Sequence, residues 1–126
     1  MSSRGTYRGL TVWQKAMDLA EVVYEVTREL PKEELYGLCS QARRSAVSVP
    51  ANIAEGYGRD SRKSFVQFLR IAQGSLKELE THLLLAQRLK MLPAEDVSAT
   101  LECSNEVGKM LRGLIASLNR KLHADP

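Results

Sequence analysis

The chain has only two histidines and two cysteines in 126 residues, and this scarcity limits the chemistry open to it. A di-iron site in a helical bundle requires two Glu-x-x-His pairs with further inward glutamates. Neither His82 nor His123 lies three residues after a glutamate. His82 follows Glu78 by four, at the edge of an apolar stripe, where a hydrogen-bonded boundary histidine is expected. No metal and no cofactor are expected. Cys39 and Cys103 form no CxxC pair, and Cys39 falls on an apolar helical stripe, so buried thiols are expected rather than a disulfide. Glycine-rich phosphate loops and nucleophile elbows are missing too. Gly56-x-Gly58 is too short for a dinucleotide fingerprint and follows a helix, so it reads as a helix stop. With no catalytic constellation, no enzyme activity is expected.

Long apolar runs are also lacking. The longest, residues 83–86, is far short of the ~20 residues of a membrane span. Residues 1–10 carry arginines but no apolar segment of the signal-peptide type. A cytoplasmic location without membrane association is the expectation. Aromatics make up 6% of the chain, too few for a base-stacking platform, and Trp13, Phe65 and Phe68 read as core or interface.

Helix formers fill most of the remaining positions, and three breaks divide them: residues 30–32, 56–60 and 92–93. The spacing predicts an all-α fold, a single antiparallel up-and-down four-helix bundle over residues 1–126. Its ends are expected to be loose at about residues 1–8 and 122–126. The first helix is predicted to start at Thr11, where Thr11 and Gln14 have capping-box spacing. Val12, Ala16, Leu19, Val23, Val26 and Leu30 form its core stripe. Trp13, Met17, Ala20 and Tyr24 form a second row, about 100° around the axis.

The second helix is predicted from Glu33 to Tyr57, with Leu35, Leu38, Ala42, Ala46, Val49 and Ile53 in phase. Pro50 should bend it without ending it, and Asn52 should serve backbone groups near the bend. The third, capped by Ser61, buries Phe65, Phe68, Leu69, Ala72, Leu76, Leu79, Leu83 and Ala86. The fourth begins at Pro93. Leu84, Leu85 and Leu89 fall outside the third helix's core arc. With Trp13, Met17, Ala20 and Tyr24 they demand more burial than one bundle supplies, so an oligomer is expected.

Net charge is +3, weak evidence by itself, but it is unevenly placed. Residues 11–30 carry two basic and four acidic side chains, whereas residues 61–92 carry six basic and two acidic ones. Within the latter, Lys63, Arg70 and Lys77 recur every seven residues and Arg88 falls on the same line. That line lies about 120–160° around the axis from Phe65 and extends about 37 Å. Such a row can track a phosphate backbone and release its counterions, without reading bases. Arg43, Arg44, Arg59 and Arg62 could extend the positive surface. Lys15, Lys32, Lys109 and Arg112 read as dispersed surface cations.

Three blocks carry a family resemblance: residues 7–16 (YRGLTVWQKA), residues 35–38 (LYGL) with 40–59 (SQARRSAVSVPANIAEGYGR), and residues 65–81 (FVQFLRIAQGSLKELET). They resemble a bacterial family of four-helix-bundle proteins often encoded within intervening sequences of 23S ribosomal RNA genes, over roughly residues 7–92. Gly9 departs from the acidic residue expected there, and the fourth helix matches only in pattern. The family is similar in fold to accessory proteins of diversity-generating retroelements, which assemble as basic pentamers and associate with nucleic acid and a reverse transcriptase. The resemblance therefore implies a homopentamer, an RNA- or DNA-binding role and no enzyme activity. The competing expectation is a structural adaptor ring whose apolar surface docks a protein partner, such as a reverse transcriptase.

Overall fold

A computed structural model describes residues 5–124, and among these four α-helices and no strand occur. Thr11 is the first residue of α1 (Thr11–Thr27), but Leu10 occupies the capping position and no side chain caps the helix. The expected capping box is replaced by a different tie. The Gln14 amide donates to the Arg8 carbonyl at 2.8 Å and holds the helix to a 3-10 turn at Tyr7–Gly9.

The second helix departs most from expectation. A 3-10 turn (Lys32–Glu34) and a π turn (Leu35–Cys39) precede α2, which spans Ser40–Tyr57. Gly37 leaves helical geometry at φ −111°, ψ −114°. The Glu34 carboxylate accepts from the Leu38 N–H at 3.1 Å, and a Cβ on Gly37 would lie 2.6 Å from Glu34 Oε1. The missing side chain therefore lets Glu34 fold back as a cap. Leu35, assigned to the core stripe, is consequently exposed, and Tyr36 beside it is 91% exposed.

From Ser40 onward α2 runs unbroken through Pro50. The carbonyl deprived of a partner by a helical proline is that of the residue four back, here Ala46. Asn52 does not serve it. Its amide donates to the Ser48 carbonyl at 2.8 Å and the Ser48 hydroxyl at 2.9 Å, and that hydroxyl pairs with Ser75 of the next helix at 2.8 Å. Gly58 does cap α2, but with an ordinary right-handed φ of −78°. Gly56 is not a stop. It is buried inside the helix, where a Cβ would sit 2.7 Å from Phe68 Cβ and 2.9 Å from Phe65 Cδ1.

Ser61 caps α3 (Arg62–Arg88) as expected, its hydroxyl accepting from the Ser64 N–H at 3.1 Å. Val66 is buried on this helix, whereas Phe65 and Phe68 are only half-buried. The helix ends in a Schellman motif: Met91 N–H reaches the Ala86 carbonyl, Lys90 N–H reaches the Gln87 carbonyl, both at 2.9 Å, and Lys90 takes φ +60°. Next, α4 spans Ala94–Ala124, one residue later than expected, with the Pro93 carbonyl accepting from Val97. The outer parts of the two ends expected to be loose lie outside the described residues.

Direction follows from the pairings. Arg43 near the start of α2 bonds Thr27 at the end of α1, Gly56 near the end of α2 meets Phe65 near the start of α3, and Glu80 and Leu76 of α3 meet Ser104 and Gly108 of α4 in reversed order. Successive helices thus run antiparallel, and α4 returns against α1, where Lys15 and Glu106 form an exposed ion pair at 3.7 Å. The core lies between all four: Leu19, Val23, Val49, Ile53, Leu69, Leu79, Leu83, Val97 and Leu111 lose essentially all contact with water. Burying each such side chain contributes roughly 1.5–3 kcal/mol. The buried hydroxyls of Thr100 and Ser104 are satisfied by the Asp96 carbonyl and the Glu80 carboxylate, so polar residues inside α4 do not break the seal. Cys39 is buried and Cys103 half-buried, both as free thiols.

Candidate nucleic-acid interface

The cationic line on α3 is exposed along its length: Lys63, Arg70, Lys77 and Arg88 all face solvent. Lys77 alone is engaged, pairing with Glu80 Oε1 at 3.3 Å. Lys63, Arg70 and Arg88 have no carboxylate partner among the described residues.

The middle of the line, Arg70 and Lys77, lies at the edge of α3 that meets α4. There Arg70, Gln73 and Lys77 face Asn105 and Arg112 across a groove of about 440 Å³. Arg112, which the sequence reading placed among dispersed surface cations, thus joins two residues of the line. The spacing Ser104, Gly108, Arg112 was its one trace in the sequence, two small residues and an arginine on one face of α4. Ser104 bonds Glu80 across the groove floor at 2.9 Å. Gly108 leaves the space over which Arg112 lies, with its missing Cβ position 3.5 Å from Arg112 Nη1.

The four outlying arginines divide. Arg43 is half-buried and structural: Nε donates to Thr27 Oγ1 at 2.9 Å, Nη2 to the Tyr24 carbonyl at 3.2 Å, and the guanidinium lies over the Tyr24 ring. Arg59 pairs with Glu55 at 3.3 Å and covers the Phe68 ring. Arg44 is exposed and lines a different groove, with Tyr24, Leu35, Tyr36 and Val47. Arg62 is exposed in the first turn of α3. The outliers and the line do not form one site. His82, expected to be hydrogen-bonded, is half-buried and makes no hydrogen bond among the described residues.

The apolar surplus is real but differently distributed than expected. Ala20 is buried in the core, and Trp13 packs against it, edge-on to Tyr7 at 5.2 Å. Ala20 adds no free surface, and Trp13 remains only partly buried. Met17, Tyr24, Leu84, Leu85 and Leu89 are exposed. Leu35, Tyr36, Val47 and Ile71 join them: the first two sit beside the Gly37 break, whereas Val47 on α2 and Ile71 on α3 lie outside the core stripes of their helices. Met17, Tyr24 and Val47 line one continuous furrow between α1 and α2.

No curated protein matches the chain. Among solved structures, it is similar to a protein of unknown function from the S23 ribosomal protein family of Bacteroides thetaiotaomicron, at 27% identity and a TM-score of 0.78, over 83% of this chain and 98% of that one. The family model described as 23S rRNA-intervening sequence protein matches residues 8–113, from the turn before α1 well into α4. With four helices in place and the match extending across them, the chain belongs to the 23S rRNA-intervening sequence protein family.

Proposed function

We propose that this protein is a non-enzymatic, oligomeric nucleic-acid-binding protein that holds RNA or DNA through phosphate contacts. The observation that carries the reading is the exposed line on α3, three of whose four cations lack a carboxylate partner among the described residues. A carboxylate at i,i+4 spacing would partly neutralise each charge. Lys63, Arg70 and Arg88 have none, along a length that matches several phosphates, and unpaired cations gain most from displacing condensed counterions. The family's name links its members to ribosomal RNA genes, which accords with a nucleic-acid role.

Assembly belongs to the same reading. The exposed side chains of Met17, Tyr24, Leu84, Leu85 and Leu89 leave apolar surface on α1 and towards the end of α3 that association would bury. A ring, five-fold as the resemblance implies, would cover it. Repeating a weak site in a ring raises avidity without any new contact. No helix among the described residues is long and apolar enough to cross a membrane, and a cytoplasmic setting is part of this proposal.

The test is fluorescence anisotropy at two salt concentrations with labelled RNA and DNA. Affinity should fall steeply with salt and vary little with base sequence. Changing Lys63, Arg70, Lys77 and Arg88 together to Gln should abolish binding with helicity intact, whereas changing Lys15, Lys32 and Lys109 should weaken it far less. Equal losses from both sets would mean diffuse charge. A second reading, an adaptor ring docking a protein such as a reverse transcriptase, is favoured by one feature, the exposed Leu35–Tyr36 pair on the π turn. An intact oligomer that binds no nucleic acid at low salt would decide for it.

A further inference from the structure

We infer that the groove between α3 and α4 is a phosphodiester-binding site, with Arg70 and Lys77 on one wall and Arg112 on the other. This rests on the nucleic-acid reading above and locates it. The groove replaces a single line of charge with a cleft that grips from two sides.

Four observations converge. The three cations project into one groove from two helices, and neither Arg70 nor Arg112 is held by a carboxylate among the described residues. Between them stand the side-chain amides of Gln73 and Asn105, neutral groups that can donate to phosphate oxygens or bond sugar hydroxyls. The volume, about 440 Å³, lies in the range of small-ligand sites, suited to one stretch of sugar-phosphate backbone rather than to a folded partner. Finally, the mouth is kept open by a glycine: nothing lies within 4 Å of the Cβ position of Gly74, although glycine inside a helix is unfavourable.

Glu80 is the one carboxylate in the groove, and its charge is already used. Oε1 takes the Lys77 ammonium at 3.3 Å and Oε2 takes the buried Ser104 hydroxyl at 2.9 Å. It therefore fixes Lys77 and the floor, and leaves Arg70 and Arg112 as the two free donors. Guanidinium groups suit this task, because each can present two parallel N–H donors to a phosphate.

The experiment compares three variants of the full-length protein by anisotropy with a labelled single-stranded RNA, DNA of the same sequence, and inorganic phosphate as competitor. Arg112→Gln should weaken binding about tenfold, the loss of one charge-assisted contact, and lower the salt slope by about one. Arg88→Gln, which removes a charge of the line outside the groove, should have much the smaller effect. Gly74→Leu removes no charge and, having open space for its side chain, should fold; it should block binding by filling the mouth. Parallel losses on RNA and DNA would identify the phosphodiester as the recognised unit, and a loss on RNA alone would add the ribose hydroxyl to it. Wild-type binding that Gly74→Leu leaves intact, with Arg112→Gln no worse than Arg88→Gln, overturns the groove while sparing the broader reading. Wild-type protein that binds neither oligonucleotide at low salt overturns both.

Discussion

Arg43 Nε donates to Thr27 Oγ1 at 2.9 Å, joining the start of α2 to the end of α1. The Thr27 hydroxyl is buried and itself donates to the Val23 carbonyl, so the arginine completes a hydroxyl that water does not reach. This cation is a tie between helices. Arg43→Gln should lower stability by about 1.5–3 kcal/mol, the worth of a hydrogen bond from a charged donor. Urea unfolding would measure that loss, and nucleic-acid affinity should hardly change. An affinity loss without a stability loss would place Arg43 in the binding surface instead.

Two glycines should respond oppositely to alanine. At Gly56 the new methyl would meet Phe68 Cβ at 2.7 Å and Phe65 Cδ1 at 2.9 Å, so the α2–α3 contact must open. Overpacking of that kind costs about 1–3 kcal/mol, which exceeds the ~1 kcal/mol gained from helix propensity. Gly113 on α4 has open space around its Cβ position, so Gly113→Ala should raise stability by about 0.5–1 kcal/mol. Thermal melts of both variants test the pair, and a stabilised Gly56→Ala would show that the contact yields freely.

Lys90 adopts φ +60° in the turn after α3, a conformation that is costly for a side chain bearing Cβ. Lys90→Gly should therefore stabilise the protein by about 0.5–1 kcal/mol, the relief of the left-handed strain less the extra entropy of an unfolded glycine. Denaturant midpoints would reveal it. A lower midpoint would mean that the lysine side chain makes a contribution larger than its backbone costs.

Met17→Glu and Leu84→Glu should each dissociate the proposed oligomer by placing an unpaired charge in a dry contact. Because both side chains are exposed within one chain, helicity should survive. Light scattering at micromolar protein distinguishes the outcomes. Wild-type protein that scatters as a 14.1 kDa monomer would rule out the ring.

Helices were legible where one helix's own periodicity decides the matter. The core face of α1, the Ser61 cap and the passage of α2 through Pro50 follow from spacing and capping chemistry. Misreadings arose where a neighbour decides. Leu35 keeps phase with Leu38 and Ala42, yet the Glu34–Leu38 bond turns the chain at Gly37 and leaves it outside. Gly56 resembles a stop in sequence, and only the Phe65 and Phe68 side chains of another helix explain it. The candidate site divides the same way. The α3 line is visible on a helical wheel, but Arg112 becomes relevant only when α4 lies alongside, and Arg43 is withdrawn only because Thr27 is there to bond it.

The two edges of α3 carry different surfaces. Arg70 and Lys77 border α4, while Ser75 marks the edge bonded to α2, and helical spacing puts the exposed Ile71 and Leu89 on that second side. Leu84 is the exception: it lies on the α4 side beside Glu80 and Asn105, so the apolar flank set apart from the charge is that of Ile71 and Leu89. Substitutions on the two flanks should be additive in their effects on binding per protomer and on assembly, since they share no partner. A variant that dissolves the ring would then retain the intrinsic affinity of each subunit and lose only the advantage of tethering, so that long oligonucleotides suffer and short ones do not.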